Sequence, residues 1–371
     1  MIMRIIHCAD IHLDSKMNTN LSKEMARERK AELLTTFCKM VDYAVENGVE
    51  AILIAGDLFD TKKVSATAGN IVSDVIRKHP HIAFFYLRGN HDEESFVNGL
   101  ESVPDNLFLF SDTWRSYQLG EEKKIVVSGI ELSAQNYSRI ADTLSLDMEM
   151  INIVMLHGQE SAYHTKDKVE TIPLSALKNK GIDYLALGHV HSYKENRLDA
   201  RGSYCYCGCL EGRGFDECGE CGFVLLDVDE STGEVAHRFV QFAGRNLYTI
   251  TVDITACDTT AQMAERLQQR TKECNYPEQS LVKYQLTGKI RVDSEKDLDY
   301  LKKQVDGLFY YVKLTDDSTY CVDYRDFEHD MSLKGEFIRT VMATEELSEQ
   351  ERATVIHYGL RALAGEEIID S

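Results

Sequence analysis

Five short polar motifs, each placed just after an apolar run, hold most of the residues in this chain that could do chemistry. They are Asp10-Ile11-His12, Gly56-Asp57-Leu58-Phe59-Asp60, Gly89-Asn90-His91-Asp92, His157-Gly158 and Gly188-His189-Val190-His191. Together they supply carboxylates, imidazoles and one amide. Mixed oxygen and nitrogen donors of this kind suit a pair of divalent transition metals. Two adjacent metals can hold a phosphoryl group and lower the pKa of a water for in-line attack. Each motif alone is modest evidence: a Gly-Asp pair or an Asn before a His also serves in turns. The ordered set is far more specific, and it takes in five of the twelve histidines.

The spacings fit such a centre. Asp10 and His12 are separated by one residue, as are His189 and His191, so each pair can point one way from an extended turn. Gly56, Gly89 and Gly188 let the backbone turn sharply or approach closely. Asp57 is the natural bridge, because one carboxylate can bind two ions.

The elements that must position these motifs alternate. Residues 3–9, 51–55, 82–87, 125–127, 151–156 and 184–187 read as apolar strands. Leu33, Leu34, Phe37, Met40, Val41, Ala44 and Val45 recur at helix spacing, with Gly48 as the stop. Ile71, Val72, Val75 and Ile76 mark a second helix, closed by His79-Pro80, and Leu174 and Leu177 a short third one. Strands alternating with helices predict a largely parallel sheet with covered faces. Ligands bind beyond the carboxyl ends of such strands, where all five motifs lie. A hairpin around Glu230-Ser231-Thr232-Gly233 is expected to form a second sheet closing this domain. After a boundary at Gly244-Arg245-Asn246, strands over 247–254, 281–287 and 310–314 and a helix over 259–272 predict a small α+β unit. Residues 332–364 read as helical, with Phe337, Val341, Leu347, Val355, Tyr358, Leu360 and Leu363 on apolar faces.

A chain of 371 residues is too long for one ordinary core, so two or three domains are expected. The net charge of −20 argues against a protein that coats DNA through its own lysines and arginines. A phosphodiester can still enter a metal-charged cleft, where two divalent ions outweigh Asp10 and Asp57. No apolar run is long enough to span a membrane, and the first ligand motif follows the N-terminus closely. A cytoplasmic protein is the expectation, with reduced thiols. Of ten cysteines, Cys205, Cys207, Cys209, Cys218 and Cys221 cluster. They could form a structural zinc site or, more simply, be small buried residues of a β segment.

The motifs, in this order, strongly resemble those of the calcineurin-like metallophosphoesterases. Asp10-Ile11-His12-Leu13-Asp14, Leu53-Ile54-Ala55-Gly56-Asp57-Leu58-Phe59-Asp60 and the segment from Gly208 to Glu217 resemble the SbcD type of DNA-repair exonuclease. The resemblance is strong over 1–240 and weak beyond. It implies an α/β fold: a metallophosphoesterase-type β-sandwich flanked by helices (1–243), a smaller α+β capping domain (244–331) and a helical C-terminal partner-docking segment (332–371). It implies that Asp10, His12 and His191 hold one metal, Asn90, His157 and His189 the other, and Asp57 bridges them. His91 would be the catalytic histidine, contacting phosphate or leaving group without binding metal. Asp60 and Asp92 are candidates for orienting imidazoles or for forming turns, and Arg88 for touching phosphate or for a solvated strand end. The implied cofactors are two divalent ions, Mn²⁺ first, with Fe or Zn also suited. The implied partners are DNA, an SbcC-like coiled-coil ATPase and a second copy of the chain. The alternative activity is hydrolysis of a small phosphodiester or phosphomonoester.

Overall fold

The computed structural model describes residues 2–17, 21–60, 64–92, 96–100, 102–122, 124–160, 170–322 and 327–363. The chain divides into two compact units, Met1–Asn246 and Leu247–Ser371.

The first unit is a sandwich of two six-stranded sheets. One runs in the order Val235–Gln241, Gly222–Asp229, Ile2–Cys8, Val49–Ala55, Ala83–Leu87, Leu107–Leu109. The other runs Lys194–Arg197, Ser203–Tyr206, Tyr184–Gly188, Ile151–His157, Ile125–Gly129, Arg115–Leu119. Each has a parallel centre: Ile2–Cys8 pairs in parallel with Val49–Ala55, and Tyr184–Gly188 with Ile151–His157. The expected hairpin forms, but it does not make a sheet of its own. Gly222–Asp229 pairs antiparallel to Ile2–Cys8 and so extends the first sheet. The second sheet is instead built from strands that a one-sheet reading had placed beside the first. Strand patterning reports burial on both faces, not which of two stacked sheets a strand joins.

The central strands are apolar without alternation because both faces are covered. Ile5, Leu53, Phe85, Ile153 and Tyr184 meet in the core between the sheets. On the outer face of the first sheet, Ile6, Ile52 and Phe84 pack against Leu33, Phe37 and Met40 of the helix Lys23–Glu46 and Val72 and Ile76 of Ala66–Lys78. Ser22 caps the longer helix by accepting from the Met25 N–H. Val154, Leu185 and Leu187 cover the outer face of the second sheet together with Ile140 and Leu177.

One buried ion pair links the long helix to the segment that follows the last sheet strand of the site. Arg29 and Glu211 are each 1% exposed. Arg29 Nη2 donates to Glu211 Oε1 at 3.1 Å and to the Gly212 carbonyl at 2.7 Å. Glu211 also accepts from Thr36 Oγ1 at 2.9 Å and from the Gly244 and Arg245 N–H groups at 2.7 and 3.1 Å. Removing Arg29 leaves the Glu211 carboxylate buried with only neutral donors. Arg29→Met is therefore expected to cost about 3–5 kcal/mol of stability, read as a lowered midpoint in urea with little change in slope. A change below about 1 kcal/mol would mean that the pair is dispensable.

In the second unit, Leu247–Asp253, Leu281–Thr287 and Tyr311–Asp316 form a parallel sheet in that order, with Thr260–Cys274 and Leu298–Val305 as crossover helices. Val252, Tyr284, Met263, Leu267 and Leu301 are its core. The predicted C-terminal helical segment is two helices, Leu333–Met342 and Glu349–Leu363. Ile338, Val341, Ala353 and Ile356 pack with Val292 and Phe327 of the same unit, and Phe337 lies against that cluster. Tyr358 and Leu333 remain exposed. Residues 364–371 of the segment lie outside those described. Among the described residues, no helix is long and apolar enough to cross a membrane.

Candidate metal centre

Both sheets deliver donors to one place. The first sheet supplies Asp10 and His12 after Ile2–Cys8, Asp57 after Val49–Ala55, and Asn90 and His91 after Ala83–Leu87. The second supplies His157 at the end of Ile151–His157, and His189 and His191 after Tyr184–Gly188. Beyond the strands the first two loops keep pairing: Asp10 N–H donates to Gly56 O at 3.1 Å and His12 N–H to Asp57 O at 2.9 Å. The sheets approach closely here because glycines lack a side chain. A Cβ on Gly56 would fall 2.0 Å from His157 Nδ1, and one on Gly188 would fall 2.1 Å from the Ala55 carbonyl. These glycines thus admit the neighbouring donor strand.

Asp10, His12, Asp57 and His189 all have positive φ, from 49° to 94°. Non-glycine residues rarely adopt this left-handed region, and such strain gathers at functional sites, held by the surrounding fold. No sequence signal marked it.

The donor atoms converge. Asp10, His12 and His191 offer atoms within 4.8 Å of one another, as do Asp10, Asp57 and His157. His12 Nε2 and His191 Nε2 are 3.3 Å apart. Asp57 Oδ2 lies 3.4 Å from His157 Nε2 and 3.7 Å from His12 Nε2, between the two groups. Asn90 Oδ1 lies 3.0 Å from His157 Nε2 and 3.3 Å from His189 Nδ1. His157 Nδ1 donates to the Ala55 carbonyl at 2.9 Å, which turns Nε2 toward the cluster. His189 N–H donates to Asp10 Oδ1 at 2.9 Å.

His91 lies beside these donors, its ring centroid 5.1 Å from that of His12, and with His12 and Asp60 it brings ligand atoms within 4.8 Å of one another. Its N–H donates to Asp57 Oδ1 at 2.9 Å, while its ring, about half exposed, donates from Nδ1 to Asp60 Oδ1 at 3.0 Å. Asp60 therefore orients an imidazole. Asp92 does not touch one: it accepts from the N–H groups of Leu58, Phe59 and Gly89 at 3.2, 2.9 and 3.1 Å, and so shapes the turns. Arg88 is held by Glu131, with Nη2 to Oε2 at 2.6 Å and Nε to Oε1 at 3.1 Å. Its side chain is 40% exposed, and the pairing uses Nε and Nη2. Both residues line a cavity of about 240 Å³ beside Asn90 and His157.

The electrostatics suit cations. Burial pushes the Asp10 carboxyl above its usual value. Burial also acts to raise Asp57, but the His157 and His12 imidazoles and the His91 N–H outweigh it and hold that carboxyl well below the carboxylate range. Burial opposes charge on His157, yet Asp57 and Asp10 raise it to about 9; burial and the nearby His157 lower His189 to about 4. Packed carboxylates and imidazoles thus contend for protons in a space where two divalent ions would satisfy both. The oxygen and nitrogen donors gathered here suit two divalent ions, and Asp57 lies between the two groups.

The cysteine cluster is dispersed. Cys205 and Cys207 lie in the core between the sheets. Cys209 and Cys221 are buried with their Sγ atoms 3.4 Å apart, and Cys218 is exposed. Among the described residues, no three-ligand group includes a cysteine. The sequence reading missed Glu217, which accepts from His191 Nδ1 at 2.8 Å, and Arg213, which binds both Glu217 and Asp60. Both fall in the Gly208–Glu217 segment, which carried a resemblance but no assigned roles.

The model of the calcineurin-like phosphoesterase family matches residues 3–193, just over half of the chain. An uncharacterized metallophosphoesterase, YhaO, of Bacillus subtilis (strain 168) is 28% identical over 258 residues, 64% of this chain and 60% of that protein. The chain thus spans less than two thirds of that relative. The DNA double-strand break repair protein Mre11 of Saccharolobus solfataricus is 23% identical over 392 residues, 100% of this chain and 97% of that one. Among solved structures, a dimetal phosphatase from Danio rerio is 10% identical with a TM-score of 0.40, covering 62% of this chain and 93% of that one. With the sandwich, the strand-end donors and this match across its first unit, the chain belongs to the calcineurin-like phosphoesterase family and with it to the metal-dependent phosphoester hydrolases.

Proposed function

We propose that the chain is a Mn²⁺-dependent DNA nuclease of the SbcD type, acting in the cytoplasm on DNA ends or hairpins. The observation that carries this reading is the end-to-end similarity to an archaeal protein named for DNA double-strand break repair. Two divalent ions, when bound, would supply charge to the phosphoryl group and lower the pKa of water. Asp10, His12 and His191 would hold the first, Asn90, His157 and His189 the second, and Asp57 would serve both. His91 is half-exposed and oriented by Asp60, so it faces substrate and can give a proton to the departing oxygen. The Asp60 hydrogen bond raises the His91 imidazole, which favours the proton-carrying form.

The test is metal dependence on DNA. Chelator-stripped protein is expected to be inert on single-stranded and hairpin DNA and to recover with Mn²⁺ better than with Mg²⁺, which prefers oxygen ligands and octahedral hydration. Full cleavage in chelator would sink the reading. The net charge of −20 favours a second reading, a small phosphoester as substrate. Turnover of small esters with no DNA cleavage, alone or with a partner, would select it.

The same reading includes an SbcC-like coiled-coil ATPase and a homodimer. The ATPase can supply the DNA affinity that this acidic chain lacks. Its proposed dock is the C-terminal helical pair, where Leu333 is 68% exposed and Tyr358 42%. Truncation at Ser332 would also open the core around Ile338 and Ile356, so surface changes are the cleaner probe. Leu333→Glu with Tyr358→Glu is expected to abolish ATPase association in sedimentation while leaving Mn²⁺-dependent cleavage intact. Retained association would place the dock elsewhere.

A further inference from the structure

Two carboxylates stand behind the imidazoles, and one guanidinium joins them. Glu217 is 5% exposed, and its Oε1 accepts from His191 Nδ1 at 2.8 Å. Asp60 Oδ1 accepts from His91 Nδ1 at 3.0 Å and lies 3.6 Å from His12 Nδ1. That His12 atom is buried and has no hydrogen-bond partner among the described residues. Arg213 spans the two acids. Its Nη1 donates to Asp60 Oδ2 at 3.1 Å, its Nη2 to Glu217 Oε1 at 2.6 Å, and its backbone N–H to Glu217 Oε2 at 2.6 Å. Ser15 Oγ completes Asp60 by donating to Oδ2 at 2.8 Å.

The other donors are held differently. His157 leans on the Ala55 carbonyl, Asn90 lies between His157 and His189, and His189 Nε2 is 3.7 Å from Glu170. The centre is therefore asymmetric. Backbone and mutual contacts, with Glu170 near His189, set one half; a lattice of two acids joined by Arg213 sets the other.

We propose that Arg213 is a positioning residue for one half of the metal centre: through Glu217 it fixes His191, and through Asp60 it fixes His91 beside His12, while Asn90, His157 and His189 are fixed without it. This rests on the dinuclear reading above. A carboxylate accepting Nδ1–H leaves the imidazole Nε2 as the lone-pair donor and fixes the ring plane. The carboxylates can do this only while each is itself held. The planar guanidinium fork meets two acids at once, whereas an ammonium is a single point charge. Arg213 and Glu217 lie four residues apart in one loop, and Asp60 follows the central strand Val49–Ala55, so the fork also ties that loop to the Asp57 turn.

The experiment is Mn²⁺ titration of metal-stripped protein by calorimetry, with metal analysis after desalting and electron paramagnetic resonance of the loaded form. The unmodified chain is expected to bind two ions and give the spectrum of a coupled pair. In Arg213→Gln, one site should keep its affinity and the other weaken about 10- to 100-fold, the usual cost of losing a group behind a ligand. The resonance should become that of an isolated ion. Arg213→Lys should not restore the pair. Glu217→Gln, which keeps size but loses charge, should weaken the same single site, and it serves if Arg213→Gln fails to fold. Two sites with unchanged affinity, or both weakened alike, would overturn the proposal and make Arg213 a purely structural clamp. If the unmodified chain binds no Mn²⁺, the dinuclear reading falls, and the proposal with it.

Discussion

Asp57→Asn is expected to remove most bound Mn²⁺ and, with it, phosphodiester cleavage. In the proposed centre Asp57 is the donor that both halves share; it lies 3.4 Å from His157 Nε2 and 3.7 Å from His12 Nε2. It is buried, and its carboxyl is held well below the usual range, so it stays charged at any working pH. Asparagine keeps the shape and can still accept the His91 N–H, but it loses the charge that two cations require. A metal centre contributes several kcal/mol to the transition state, so its loss corresponds to about a thousandfold or more in rate. Metal analysis of the purified variant should fall in parallel. The urea midpoint should fall, because the His157 and His12 imidazoles favour the charged Asp57 in the folded state, and its loss leaves His157 buried without its main counter-charge. Two retained ions with wild-type turnover would show that Asp57 bridges nothing.

What the sequence made legible, and what it did not, follows from the range of the interactions. Asp10, His12, Asp57, Asn90, His91, His157, His189 and His191 could be marked because each directly follows an apolar strand, and strand ends in parallel sheets point one way. That they meet in space could be expected on the same ground. The assignment of strands to two sheets could not, since Ile125–Gly129 and Ile151–His157 look the same in either layer. Arg88 and Asp92 illustrate a second limit. Their partners, Glu131 and the Leu58–Phe59 turn, lie 43 and 33–34 residues away in sequence, and no local pattern announces such a pairing. Arg29 and Glu211 are 182 residues apart. An arginine on an amphipathic helix reads as solvated until a buried acid is found to face it.

His91→Asn should fail in a different way from Asp57→Asn, and the contrast separates ligand from proton donor. The His91 ring directs Nδ1 to Asp60 and is half-exposed, while Asp10, His12, Asp57 and His157 are buried. Asparagine should therefore leave two bound Mn²⁺ and most of the affinity for substrate. The loss should appear in turnover, by about a hundred- to ten-thousand-fold, the usual contribution of general acid catalysis. It should shrink on an activated phenolic ester, whose leaving group departs without a proton. General damage to the site would lower turnover of every substrate alike. The His12, Asp60 and His91 side chains also bring ligand atoms within 4.8 Å of one another. Metal analysis of His91→Asn is thus the decisive measurement. Two ions with slow turnover on a poor leaving group assign His91 to proton transfer. One ion missing would make it a ligand, and proton donation would have to come from another group.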